Sequence, residues 1–128
     1  MSKVIIGLGS NINPLVNINQ GKHYLHLHYD VINETIPVKT DPIGMSNAEP
    51  FYNCGIEIQT NLTQHELKKE LKHLEFFMGR TSHQHGYSDR IIDFDILVWE
   101  SMVVDKDVYL RPFLKDIIQR LAPQLLIH

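Results

Sequence analysis

The stretch of this sequence best equipped for chemistry is Arg90-Ile91-Ile92-Asp93-Phe94-Asp95-Ile96-Leu97-Val98. Read as a strand, it sends Ile92, Phe94, Ile96 and Val98 to one face and Asp93 and Asp95 to the other. Residues two apart in a strand stand about 6.5–7 Å apart. Two carboxylates at that spacing can converge on a pair of divalent ions roughly 3.5–4 Å apart, an arrangement used for phosphoryl chemistry. An all-oxygen donor set suits Mg²⁺, which takes few protein carboxylates and completes its shell with water and phosphate. Without a cation the two charges repel each other inside an otherwise apolar run. The plainer alternative is an edge strand that points both groups into solvent.

Arg80 and Arg90 flank the loop before this strand, and guanidinium groups clamp phosphate bidentately. Beside the acidic pair they point to a polyphosphate ligand. His83 and His85, in the same loop, could add charge near a phosphate. His23, His26 and His28 form H-x-x-H-x-H, but no cysteine or carboxylate completes a zinc set there. His65, His73 and His128 are read as facing solvent.

The elements that must position these groups are drawn from 128 residues, a length that suits one domain spanning 1–128. With 43% hydrophobic and 21% charged residues, the chain has ordinary globular usage and can bury a core without staples. Its one cysteine, Cys54, allows no internal disulfide and is read as a small buried hydrophobe in a reducing compartment. A net charge of -3 provides no global field for nucleic acid or anionic membrane, so an anionic ligand must be caught locally. No apolar run approaches the roughly 20 residues of a spanning helix. The expectation is a cytoplasmic monomer that binds small molecules, with neither nucleic acid nor membrane as partner.

Lys3 to Leu8 reads as a short buried strand closed by Gly9-Ser10-Asn11. A weakly patterned helix runs from Leu15 to Leu27, with Asn17, Asn19 and Gly21 lowering its propensity. Val31 to Lys39 reads as a second strand, followed by a polar loop from Asp41 to Pro50. Phe51 to Thr60 alternates cleanly, with Tyr52, Cys54, Ile56 and Ile58 on one side. Thr63 and Glu66 stand at capping-box spacing and open a helix with the stripe Leu67, Leu71, Leu74 and Met78, ended by Gly79. Lys68, Lys69, Glu70 and Lys72 are its solvated residues. Ile91 to Trp99 is an apolar strand, Val103 and Val104 a short return, and Pro112 starts a last helix through Leu121, ended by Ala122-Pro123. The order β-α-β-β-α-β plus a terminal helix predicts an α+β, ferredoxin-like layout with helices on a mixed sheet.

Four segments together resemble the 6-hydroxymethyl-7,8-dihydropterin pyrophosphokinase family. They are Gly7-Leu8-Gly9-Ser10-Asn11, Thr40-Asp41-Pro42-Ile43-Gly44, Pro50-Phe51-Tyr52-Asn53, and Gly79-Arg80 leading to Arg90 through Ile96. The resemblance implies an enzyme of folate biosynthesis that moves the β,γ-pyrophosphoryl group of ATP to the hydroxymethyl oxygen of the pterin, with two Mg²⁺ ions. Asp93 and Asp95 would then be the metal ligands. Thr40, Pro42 and Gly44 would line the pterin pocket, Asn53 would bond the pterin edge, Phe51 would stack on its ring, and Tyr87 would lie on the loop closing over it. Arg80 and Arg90 would serve catalysis and ATP binding, with Glu75 on the nucleotide side. After the acidic strand the family pattern runs Pro-His, arginine, phenylalanine, then an apolar helix ending in Ala-Pro. Here Pro112 is followed by Phe113, and Ala122-Pro123 comes early, so the arginine and second stacking phenylalanine read as deleted. Phe113 is a candidate to replace that ring. The alternative to an active transferase is a relative that binds pterin or nucleotide without efficient catalysis.

Overall fold

The structure, a computed structural model, describes residues 1–40, 50–79 and 91–125. Chain order is β1 (Ser2–Ser10), α1 (Pro14–His28), β2 (Asp30–Glu34), β3 (Val38–Thr40), β4 (Phe51–Thr60), α2 (Gln64–Phe77), β5 (Asp93–Trp99) and β6 (Met102–Val103). A 3₁₀ turn (Lys106–Tyr109) and α3 (Pro112–Leu121) follow. The strands form one sheet in the order β2-β4-β1-β5-β6, with β3 also paired to β4.

Every pairing among the described residues is antiparallel, which corrects the mixed sheet expected from sequence. The α1 crossover does not set β1 beside β2. Instead β4 inserts between them, pairing with both, and the unit becomes a split βαβ. The strand expected over Val31–Lys39 is two strands. Its break falls at Thr35, whose N–H donates to Gly55 O (2.9 Å) and whose Oγ1 accepts from Gly55 N (2.8 Å).

Two cores lie on opposite faces of the sheet. On one, Ile18 and Leu25 of α1 with Leu67 and Leu71 of α2 cover Val4, Ile6, Leu8, Cys54, Ile56, Ile58, Ile92 and Phe94. The other places Val108, Ile117, Ile118, Leu121 and Ala122 over Ile5, Leu97 and Val98. The α2 helix begins with the expected reciprocal cap: Glu66 N–H donates to Thr63 Oγ1 (3.1 Å) and Thr63 N–H to Glu66 Oε1 (2.8 Å). It ends at Gly79, where φ is +104°, a conformation that L side chains resist.

One register detail revises the face assignment of β5. Ile6 pairs with Ile96, yet Ile5 pairs with Val98, so Leu97 is an extra residue on β5. This bulge turns Leu97 and Val98 together toward α3, and Val98 does not share the face of Ile92 and Phe94 as simple alternation had it.

Candidate active site

Strict alternation holds on β5 before the bulge. With Ile92 and Phe94 in the α1/α2 core, Asp93 and Asp95 emerge on the opposite, α3-side face. Their carboxyls are close enough to hydrogen-bond each other. Burial, then the charge of Asp93 and its hydrogen bond, raise the Asp95 carboxyl from the usual carboxylate range to about 8. The Lys72 ammonium pulls the other way, and Asp105 adds to the rise. A half-buried acid pair held this close is poorly stable as two anions and well matched to a hard cation. Among the described residues no third His, Cys, Asp or Glu joins them into a ligand set, so other donors would be water or substrate phosphate.

Glu75 explains how the strand is held. Beyond the two pairs made by β6, at Val98 and Trp99, the outer edge of β5 has no strand neighbour among the described residues. Glu75, only 3% exposed, accepts from Phe94 N–H at 2.7 Å, filling that edge between the two aspartates. Lys72 Nζ lies 3.2 Å from the same Oε2. Lys72, read from sequence as a solvated charge, therefore belongs to the acidic cluster. Its i,i+3 spacing to Glu75 was the available signal.

The register runs a row of residues across the sheet. Gly9 pairs with Asn53 on one side and with Asp93 on the other. At about 4.8 Å per strand, Asn53 and Asp93 stand roughly 10 Å apart over a bare glycine floor. The floor must be bare, because a Cβ on Gly9 would come within 2.8 Å of Asn53 Oδ1. Asn53 Nδ2 donates to Thr40 Oγ1 at 2.7 Å, and Thr40 Oγ1 in turn donates to Phe51 O at 3.4 Å. Phe51 is half-buried, with its ring edge 3.9 Å from the place of that Gly9 Cβ.

Between this row and α3 opens a cavity of about 70 Å³ lined by Thr35, Ile36, Val38, Thr40, Asn53, Phe113, Asp116, Ile117 and Arg120. The structure thus brings Thr40, Asn53 and Phe113 into one pocket. Phe113 stands in the first turn of α3, directly after the N-cap Arg111 and Pro112. Arginine, phenylalanine, apolar helix and Ala122-Pro123 are therefore all present in the expected order, and the reading that the arginine and phenylalanine were deleted is corrected. Arg111, Asp116 and Arg120 were missed from sequence; the helical spacing of Phe113, Asp116 and Arg120 was the signal for the last two.

Pro42, Gly44, Arg80, Tyr87 and Arg90, with His83 and His85, lie outside the described residues. Cys54 is fully buried, and burial pushes its thiol up to about 11, which leaves no reactive thiolate. His26 bonds Glu34 at 3.0 Å, away from the acidic pair. Among the described residues no helix is long and apolar enough to cross a membrane.

Residues 5–123 match the family model for 7,8-dihydro-6-hydroxymethylpterin-pyrophosphokinase. The chain is 32% identical to a folate synthesis bifunctional protein of Arabidopsis thaliana over 86% of its own length and 23% of that protein's. It is 29% identical to a 2-amino-4-hydroxy-6-hydroxymethyldihydropteridine pyrophosphokinase of Methylorubrum extorquens, over 99% of this chain and 87% of the relative. With the protein of the same name from Bacillus subtilis it shares 30% identity, over 84% of this chain and 65% of the relative.

Proposed function

The chain belongs to the 7,8-dihydro-6-hydroxymethylpterin-pyrophosphokinase family, and from that premise we propose that it pyrophosphorylates 6-hydroxymethyl-7,8-dihydropterin with ATP in folate biosynthesis. In the proposed step the hydroxymethyl oxygen attacks the β-phosphorus of ATP. The bond from that phosphorus to the α,β-bridging oxygen breaks, AMP leaves, and the hydroxyl proton is lost to solvent or phosphate.

The single observation that carries this reading is the row Asn53–Gly9–Asp93, which sets an aromatic-walled pocket about two strand spacings from a convergent acid pair. That span suits a bicyclic heterocycle recognised at one end and reacting at the other. Asp93 and Asp95 would hold Mg²⁺, two ions by the family resemblance. The metal would supply neutralisation of the triphosphate charge. Glu75, through Phe94 N–H, keeps the two aspartates on their shared face. Asn53 has Oδ1 left for the pterin after its amide NH₂ bonds Thr40, and Phe113 and Phe51 are the candidate stacking rings. Arg111, at the N-cap beside Phe113, is a candidate phosphate ligand. For Pro42, Gly44, Arg80, Tyr87 and Arg90 the roles proposed are those the resemblance gives: pocket lining for the first two, loop closure for Tyr87, phosphate binding for the arginines. Chemistry here is largely positioning and charge stabilisation and needs no protein nucleophile.

Release of AMP from ATP, reduced pterin and Mg²⁺, with a pterin diphosphate of matching stoichiometry, tests the proposal. No product at micromolar enzyme would reject it. A second reading, pterin binding with little turnover, is favoured by one feature: no histidine occurs between Trp99 and Ile127 to fill the family's Pro-His position. Tight binding of both substrates without AMP would select it.

A further inference from the structure

Lys72 stands where one charge can decide which form of the cation enters the site. Its Nζ donates to both oxygens of Glu75, at 3.4 Å to Oε1 and 3.2 Å to Oε2, and Oε2 also accepts from Phe94 N–H between the two aspartates. From there the ammonium acts through space on the Asp95 carboxyl. With its side chain 44% exposed, Lys72 contributes little to stability as an i,i+3 ion pair, so its effect lies in the field it sets. Lys68 and Lys69 extend that field. They line one groove on α2 with Lys72, and among the described residues neither forms an ion pair.

Coulomb's law fixes the signs. A bare divalent ion brings two positive charges to the acid pair. Whether or not a proton leaves Asp95 as the ion enters, the net charge of the site rises, and the ammonium opposes that rise. An ion already held by ATP arrives in a complex of net negative charge, which the same ammonium attracts. Charges on other side chains add to this interaction and leave its sign unchanged.

We propose that Lys72 selects the cation–triphosphate complex over the bare divalent ion at Asp93 and Asp95. This inference rests on the acid pair being the cation site of the reading above, and adds to it the residue that sets which species fills the site. Lys72 acts through the charge it holds beside the pair, without ligating the ion.

The test is Mn²⁺ titration followed by electron paramagnetic resonance, with and without an ATP analogue whose α,β bridge is a methylene, on wild type, Lys72→Gln, Lys72→Met and Lys72→Arg. Gln keeps a donor for Glu75 and removes the charge, Met removes both, and Arg keeps both. In the two uncharged variants bare Mn²⁺ should bind about fivefold tighter and the Mn²⁺–analogue complex about fivefold weaker, with Lys72→Arg close to wild type. Both differences should shrink at about 0.5 M salt, while melting temperatures stay near wild type. A merely structural role would move the two affinities in the same direction. Parallel changes, or none, in Lys72→Gln and Lys72→Met overturn the role of Lys72 and leave the cation site intact. If wild type takes up Mn²⁺ neither alone nor with the analogue, the cation reading fails and this inference falls with it.

Discussion

Replacing Asp95 by Asn in metal-free protein should make it more stable at pH 8. Asp95 sits at about 8 in the folded protein, against about 3.9 for an unperturbed aspartate. Between those values the folded chain holds a proton that the unfolded chain has released. Unfolding stability therefore falls as pH rises, by about 1.4 kcal/mol per pH unit for one such proton. Integrated over the four units from pH 4 to 8, the ceiling is about 5 kcal/mol, and relaxation with water entry should leave a loss of a few kcal/mol. At roughly 3–5 °C per kcal/mol for a chain of this size, that is a fall of about 10 °C in melting temperature. Asp95→Asn removes the titration, so its melting curve in EDTA should stay flat over this range and exceed wild type at pH 8. Millimolar Mg²⁺ should stabilise wild type at pH 8 and do little for the variant, because binding the cation favours the ionised pair. Calorimetric scans at pH 5, 6.5 and 8, with and without Mg²⁺, check each part. A wild-type melting temperature that rises with pH in EDTA, or a variant less stable than wild type at pH 8, would refute the reasoning.

Three further changes probe the supports of the site. Gly55→Ala puts a methyl onto Ile117 Cγ2 and within 3.0 Å of Leu121 Cδ1, and a β-branched neighbour yields poorly. We expect a loss of about 1–3 kcal/mol by chemical denaturation, accompanied by weaker pterin binding as α3 lifts. Glu75→Ala leaves the buried Phe94 N–H without this acceptor and should cost about 2–3 kcal/mol; Glu75→Gln, which keeps an acceptor, should recover part of the stability and of the turnover. Phe113→Ala should raise the pterin dissociation constant about tenfold while ATP affinity, read by calorimetry, stays unchanged.

Much of this arrangement could be read before any coordinates, and the failures have local causes. The β4 span, the α2 cap and the start of α3 were legible because alternation, a Thr63–Glu66 pair and Pro112 act through nearest neighbours. The weak signal for α1 has a tertiary cause. A Cβ on Gly21 would lie 3.2 Å from the Phe94 ring, so a poor helix former is retained to let α1 approach β5. Antiparallel placement of β4 between β1 and β2 depends on partners far apart in the chain, as does the extra residue Leu97, which no alternation rule can locate. In the site, Asp93 and Asp95 declared themselves as charges in an apolar run. Glu75 and Lys72 did not, since their importance comes from the open edge of β5, which only the fold reveals. Arg111 and Phe113 were misjudged because Pro112, which starts α3, was matched to the proline of the family's Pro-His pair, so an arginine and a phenylalanine were sought only beyond it.

The central claim is that Asp93 and Asp95 together hold a divalent cation for a bound nucleotide. Titration of Mn²⁺ into protein and a non-hydrolysable ATP analogue, followed by electron paramagnetic resonance, measures that directly. Wild type should take up the ion tightly, with Asp93→Ala and Asp95→Ala each weakening uptake at least tenfold while remaining folded. Equal Mn²⁺ uptake by wild type and both variants would contradict the account.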